Sequence, residues 1–439
     1  MTLPAAIAWH PEDPAFWEAE GRAVANRNLW ISIPALSLAF SVWMVWSVVV
    51  VNLPQAGFGF STPALFWLSA LPALSGALLR LLHARLLPLF GGRRWTAIST
   101  ALLLLPTLGM GYAVREATTP YAVFVLLALL CGLGGGNFAS SMANINLFFP
   151  RARKATAVGL NAGLGNLGVS LVQFVVPLVI TAGWFGSLGG EPQAVAGGRS
   201  LWLQNAGFVW VPLIVGCALA AWFGMDDIAV TRVAPRLQAR LFGRAHGWIM
   251  GWLYLGTFGS FLGYAAGFPL LGRSQFPQAD VLVYAWLGPL LGALIRPLGG
   301  WLSDKLGGAQ VTFWNFIAMA GAVAGVLCFL PAAGEAGNFH GFLTMFMLLF
   351  ISAGLGNGST ERMRPATAAG GGALQPAVQP AFSSALAACG GFFIPGCYGA
   401  ATLITGSAAP AHYVFLFFYL TCIALTWWFY ARPQAASRT

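Results

Sequence analysis

Two arginines lie inside apolar segments, in the same local phrase, at positions 80 and 296. Gly76-Ala77-Leu78-Leu79-Arg80 is followed eleven residues on by Gly91-Gly92, and Gly292-Ala293-Leu294-Ile295-Arg296 eleven residues on by Gly307-Gly308. A guanidinium does not lose its proton at physiological pH, and a fixed charge within a membrane is costly, so such a residue marks a functional position. Its planar fork of donors matches a planar oxyanion such as a carboxylate, nitrate or nitrite. The repetition at half the chain length implies a duplicated structure with one such charge in each half.

The elements that must hold these arginines are membrane helices. The chain has 439 residues, 58% hydrophobic and 8% charged, against about 25% charged in a typical soluble domain. So few polar groups cannot cover a soluble fold. The 55 glycines suit close packing of membrane helices. Twelve segments are long and apolar enough to span: roughly 29–51, 63–83, 96–114, 121–147, 156–181, 205–224, 248–268, 279–301, 309–330, 341–359, 381–404 and 412–431. The organisation read from them is a tail at 1–28, a six-helix half at 29–224, a linker at 225–247, a second half at 248–431 and a tail at 432–439.

The basic residues set the orientation. With the N-terminus inside, 17 of the 22 fall in cytoplasmic segments; Arg115, Arg199 and Arg273 face outward, and Arg80 and Arg296 lie within spans. This asymmetry satisfies the positive-inside rule with both termini cytoplasmic. It also gives the net charge of +10 a topological meaning, so nucleic acid is not expected as a partner. The first 28 residues carry Glu12, Asp13, Glu18 and Glu20 with no apolar core, unlike a signal peptide.

All 12 acidic residues fall near one face or the other. Glu12, Asp13, Glu18, Glu20, Asp226, Asp227, Asp304 and Glu361 read as cytoplasmic; Glu116, Glu191, Asp280 and Glu335 read as outer. The two arginines are therefore expected to have no carboxylate partner. An unpaired guanidinium at mid-membrane costs at least ~2.5–3.5 kcal/mol, and two facing one pathway repel each other. A mobile anion between them resolves both problems. Snorkelling of each arginine to the cytoplasmic interface is the competing reading. Cation transport lacks acidic ligands, and proton coupling is weakened for the same reason. His83 is read as a packed, hydrogen-bonded histidine, and the six cysteines as packing residues. A fixed pair of positive charges should resist reorienting empty, which favours exchange, and one-for-one anion exchange is electroneutral.

Gly163-Leu164-Gly165-Asn166-Leu167-Gly168 fits a dinucleotide-binding spacing, but that fingerprint needs a preceding strand and this one lies in an apolar span. No catalytic or metal-ligand cluster is visible, so neither enzyme activity nor a cofactor is expected. A second repeat matches Gly132-Leu133-Gly134-Gly135-Gly136 to Gly354-Leu355-Gly356-Asn357-Gly358. Glycine at this density lets backbones touch, or lets a backbone approach a small ligand.

Residues 132–142 (Gly-Leu-Gly-Gly-Gly-Asn-Phe-Ala-Ser-Ser-Met), 146–150 (Asn-Leu-Phe-Phe-Pro) and 159–170 (Gly-Leu-Asn-Ala-Gly-Leu-Gly-Asn-Leu-Gly-Val-Ser) together resemble the first signature of the nitrate/nitrite porters, the NarK-like branch of the major facilitator superfamily. Residues 354–360 look like the second signature. Further matches run through 91–95, 253–261 and 390–395, so the resemblance covers nearly the whole chain.

The resemblance implies an all-α major facilitator fold with twelve transmembrane helices in two pseudo-symmetric halves. Arg80 and Arg296 would clamp the anion. Asn166 and Tyr254 would hydrogen-bond it, and Phe138 and Phe258 would close over it. The signature glycines Gly132, Gly134, Gly136, Gly163, Gly165, Gly168, Gly354, Gly356 and Gly358 would let helices flex or slide as the halves rock. One departure stands out: Glu361, Arg362 and Arg364 follow Thr360 at once, where the family usually continues with an apolar helix and a longer charged loop. The function implied is nitrate/nitrite antiport by a monomeric inner-membrane protein whose partners are the two anions and the lipid bilayer. The alternatives are nitrate/proton symport and a passive anion channel.

Overall fold

The computed structural model describes residues 9–195, 199–228, 245–331, 337–368 and 375–432. Apolar runs of this length satisfy their backbone groups internally by becoming helices, and long helices dominate. In chain order they are α1 (Pro14–Asn52), α2 (Thr62–Phe90), α3 (Gly92–Ala113), α4 (Tyr121–Phe148), α5 (Arg151–Val179), α6 (Asn205–Gly224), α7 (245–275), α8 (Leu282–Leu306), α9 (Gly308–Phe329), α10 (Phe339–Ala368), α11 (Phe382–Thr405) and α12 (Ala409–Ala431). Eleven are long and apolar enough to cross a membrane.

The remaining helix, α7, is less apolar than these and carries buried hydroxyls. Tyr254, Thr257, Ser260 and Tyr264 are all buried in it. Their hydroxyls find partners in neighbouring helices: Thr257 with Thr360 at 3.2 Å, and Tyr264 with Tyr419 at 2.8 Å, which in turn donates to Ser260 at 2.8 Å. Such pairing offsets the cost of polar groups away from water.

The duplication is visible in two pairs of backbone crossings. A methyl on Gly132 of α4 would collide with Ser75 and Gly76 of α2; in the second half, a methyl on Gly354 of α10 would collide with the Gly292 carbonyl of α8. Gly76 and Gly292 open the two arginine phrases. The second pair sets Gly168 of α5 against the Ser37 carbonyl of α1, and Gly390 of α11 against Gly259 of α7. Backbones this close hold each arginine helix in a fixed register against its signature helix. The glycine pairs eleven residues on also gain a meaning. Gly91 (φ 83°) and Gly307 (φ 89°) end α2 and α8 in backbone that side chains rarely adopt, and their N–H groups donate to Leu87 and Ser303 carbonyls.

Three features go beyond the sequence reading. The chain is helical from Pro14, so the N-terminal tail expected at 1–28 is largely part of α1; residues 1–8 lie outside the described residues. The chain after Thr360 is helical to Ala368 in Phe339–Ala368, and again in Gln375–Ala388. Residues 369–374 lie outside the described residues, as do 229–244 of the expected linker, 332–336 and 433–439. The outer loop after α5 carries an antiparallel pair, Gln193–Val195 with Arg199–Leu201, with residues 196–198 between them outside the described residues.

The two sets of six helices close on each other at the side away from the termini. Gln173 of α5 donates to the Ala265 carbonyl of α7 at 2.7 Å, and Ser170 to the Trp286 carbonyl at 2.8 Å. Phe174 meets Trp286 edge-on, and Phe66 and Trp67 of α2 pack on Tyr398 and Phe392 of α11.

Candidate functional site

Arg80 lies on α2 one turn beyond the Gly76 crossing and is fully buried. Its Nε donates to the Gly135 carbonyl of α4 at 3.1 Å, and one terminal nitrogen donates to the Ser384 carbonyl of α11 at 2.7 Å. The side chain therefore ties the first half to the second. The other terminal nitrogen, Nη2, is buried without a hydrogen-bond partner. Three rings surround the guanidinium: Phe138 at 4.6 Å, Trp43 at 5.2 Å and Phe258 at 5.3 Å. Desolvated contacts of this kind are worth up to about 2 kcal/mol, part of what makes a dry cation tolerable here. Snorkelling does not describe Arg80, which reaches neither surface.

The aromatic residues form a continuous bridge between the halves. Phe138 of α4 stacks on Phe258 of α7 at 5.9 Å, and Phe258 on Tyr254 at 5.4 Å. Phe258 sits in a wide π-helical turn, Leu255–Gly259, a distortion common at functional positions.

The second arginine is arranged differently, and here the sequence reading fails. Arg296 is expected to have no carboxylate partner, but its Nη2 pairs with Glu361 at 3.4 Å. The same carboxylate oxygen accepts the Tyr254 hydroxyl at 2.8 Å. The reason is geometric. The apolar run ends near 359, but α10 continues as a helix, and Glu361 falls three residues past Gly358, whose face packs on the Arg296 carbonyl. The pair is partly accessible, with 13% of the Arg296 side chain and 29% of Glu361 exposed, and Arg296 Nη1 is buried without a partner.

A connected path thus runs from Arg80 through Phe138, Phe258, Tyr254 and Glu361 to Arg296. Asn166 is buried on α5 with its Oδ1 unpartnered, but this path does not pass through it. Of the signature glycines, Gly165 packs on Leu36, Gly136 on His83, Gly134 on the Ala39 carbonyl, Gly356 on Asn315 and Gly358 on the Arg296 carbonyl, whereas a methyl on Gly163 would meet nothing. His83 is packed as expected, edge-on to Trp95, but its Nδ1 makes no hydrogen bond.

The Major Facilitator Superfamily model matches residues 35–371. The nitrate/nitrite transporter NarU of Escherichia coli (strain K12) is 48% identical over 98% of this chain and 97% of its own length. The chain belongs to the major facilitator superfamily, in its nitrate/nitrite porter branch. The NarU of Salmonella typhimurium is likewise 48% identical, over 97% of this porter. The probable nitrate/nitrite antiporter NarK2 of Thermus thermophilus is 41% identical over 97% of the porter and 96% of its own length. Among solved structures, the xylose transporter XylE from E. coli shares the fold at 13% identity and TM-score 0.67, covering 92% of the porter and 97% of that chain.

Sequence reasoning missed four members of the candidate site: Trp43, the Gly135 and Ser384 carbonyls, and Glu361. The carbonyls carry no sequence signal. Glu361 did carry one, as the first charge after the second signature.

Proposed function

We propose that this protein is a membrane transporter, not an enzyme, that carries nitrate and nitrite by alternating access, with the anion held between Arg80 and Arg296. The observation that carries the reading is that each arginine keeps one terminal nitrogen buried and unpartnered. A buried, unsatisfied guanidinium donor is costly, and two such donors, one from each half, suit a small planar oxyanion with an oxygen for each. The names of the relatives supply the substrate pair. Tyr254 would line this path, Asn166 would offer its amide N–H to the anion from α5, and Phe138 and Phe258 would cover the anion. The excess of basic residues beside the termini favours an inner-membrane protein with both termini cytoplasmic.

Exchange of external nitrate for internal nitrite is the mode we favour. A passive channel fits less well with halves sealed on one side. Proton-coupled symport draws support from Glu361, a carboxylate that reaches the site. Counterflow separates these modes. Proteoliposomes loaded with nitrite should accumulate labelled nitrate from outside at equal pH on both sides. Uptake that ignores internal nitrite and requires a pH gradient would overturn exchange in favour of symport. A linear current in a planar bilayer would favour a channel.

A further inference from the structure

We propose that Glu361 is a built-in counter-anion for Arg296 that lets the carrier reorient without substrate, so that exchange in this protein is not obligatory. The inference rests on the transport reading above. An alternating-access carrier must bury its site on the way between its two open states. A site with two guanidinium groups and no anion would carry two uncompensated charges through that step, which is why such a site should turn only when loaded. In this chain the second guanidinium already holds a carboxylate at 3.4 Å. Tyr254, from the facing helix α7, fixes the same oxygen at 2.8 Å, so Glu361 is held from two directions.

The neighbouring Arg362 is engaged by Asp304 at 2.7 Å, and Arg80 lies beyond the Phe258–Tyr254 stack, bound to carbonyls of Gly135 and Ser384. Arg80, Arg296 and Glu361 together therefore carry one net positive charge instead of two. Binding of one anion brings them to neutrality, through the open nitrogens of Arg80 and Arg296. Glu361 has two effects. It lowers the penalty of returning empty, and it competes with the anion for Arg296, weakening apparent affinity.

The experiment uses the full-length protein in proteoliposomes loaded with labelled nitrate, with potassium and valinomycin clamping the potential and equal pH on both sides. Net efflux into anion-free medium is compared with exchange against external nitrite. The parent protein should show measurable net efflux. Glu361→Gln keeps an acceptor for Tyr254 but removes the charge. Its net efflux should fall at least about tenfold, taking the low end for a pair that is partly accessible, and its half-saturating nitrate concentration for exchange should also fall. Glu361→Asp should restore net efflux in part. Absence of net efflux from the parent, with exchange intact, overturns the proposal without any variant, as does an unchanged ratio of net to exchange flux in Glu361→Gln. Absence of exchange in the parent would instead overturn the transport reading itself.

Discussion

Replacing Arg80 by lysine tests the site most directly, because it removes the fork while keeping the charge. Arg80 uses Nε on Gly135 and Nη1 on Ser384, and leaves Nη2 for the anion. A lysine has a single ammonium centre on its stem. It cannot meet a carbonyl of α4, a carbonyl of α11 and an anion at three separate points. It can still sit against Phe138 and Trp43, so much of the cation–π stabilisation survives. The loss falls on the charge-assisted hydrogen bond to the anion, worth about 1.5–3 kcal/mol. At 1.4 kcal/mol per factor of ten, this raises the half-saturating nitrate concentration about 10- to 150-fold. Nitrate–nitrite counterflow in proteoliposomes reads it, with reconstituted protein quantified by gel filtration to separate lost function from lost folding. A lysine variant within about threefold of the parent, less than 1 kcal/mol, would refute the role assigned to the fork.

Other predictions follow from the same contacts. Gly163→Ala and Gly168→Ala lie in one signature but differ in surroundings: the first methyl meets open space, the second the Ser37 carbonyl. Gly163→Ala should express and transport like the parent, while Gly168→Ala should lose folded protein on size-exclusion chromatography; equal behaviour would contradict the α1–α5 crossing. Phe258→Ala removes the ring between Phe138 and Tyr254, and should cut counterflow strongly while a thermal melt still shows a cooperative transition. Asp227 accepts the Arg93 N–H at 2.8 Å and lies 3.5 Å from its Nε, at the start of α3. Asp227→Asn should cost about 1 kcal/mol, a modest drop in melting temperature that high salt reduces further. No salt dependence would place the effect elsewhere.

Much of the fold was legible because membrane helices are written locally. An apolar run of about 20 residues has one stable form in lipid, whatever lies next to it. The duplicated phrase was legible for the same reason, since it compares the chain with itself. Helix ends were less so: α1 starts well before its apolar run, and α10 continues past Thr360, because helix persistence depends on packing and capping as well as hydropathy.

The two arginines illustrate the division. From sequence alone they are equivalent, same phrase, same offset to a glycine turn, and both assigned to mid-membrane without a carboxylate. The tertiary structure makes them unlike. Arg80 is closed off by rings and two carbonyls, one of them on a helix 304 residues away in sequence. Arg296 is partly accessible and paired with Glu361. Counting charges along the chain placed that carboxylate outside the site, since a linear inventory measures distance from the apolar run. Its real position was set by the crossing of α8 and α10, where Gly354 and Gly358 bring two backbones into contact and carry the next turn of helix to the arginine. The sequence determined that each half brings one fixed positive charge into the membrane. Only the packing of helices decided which of those charges already has a partner.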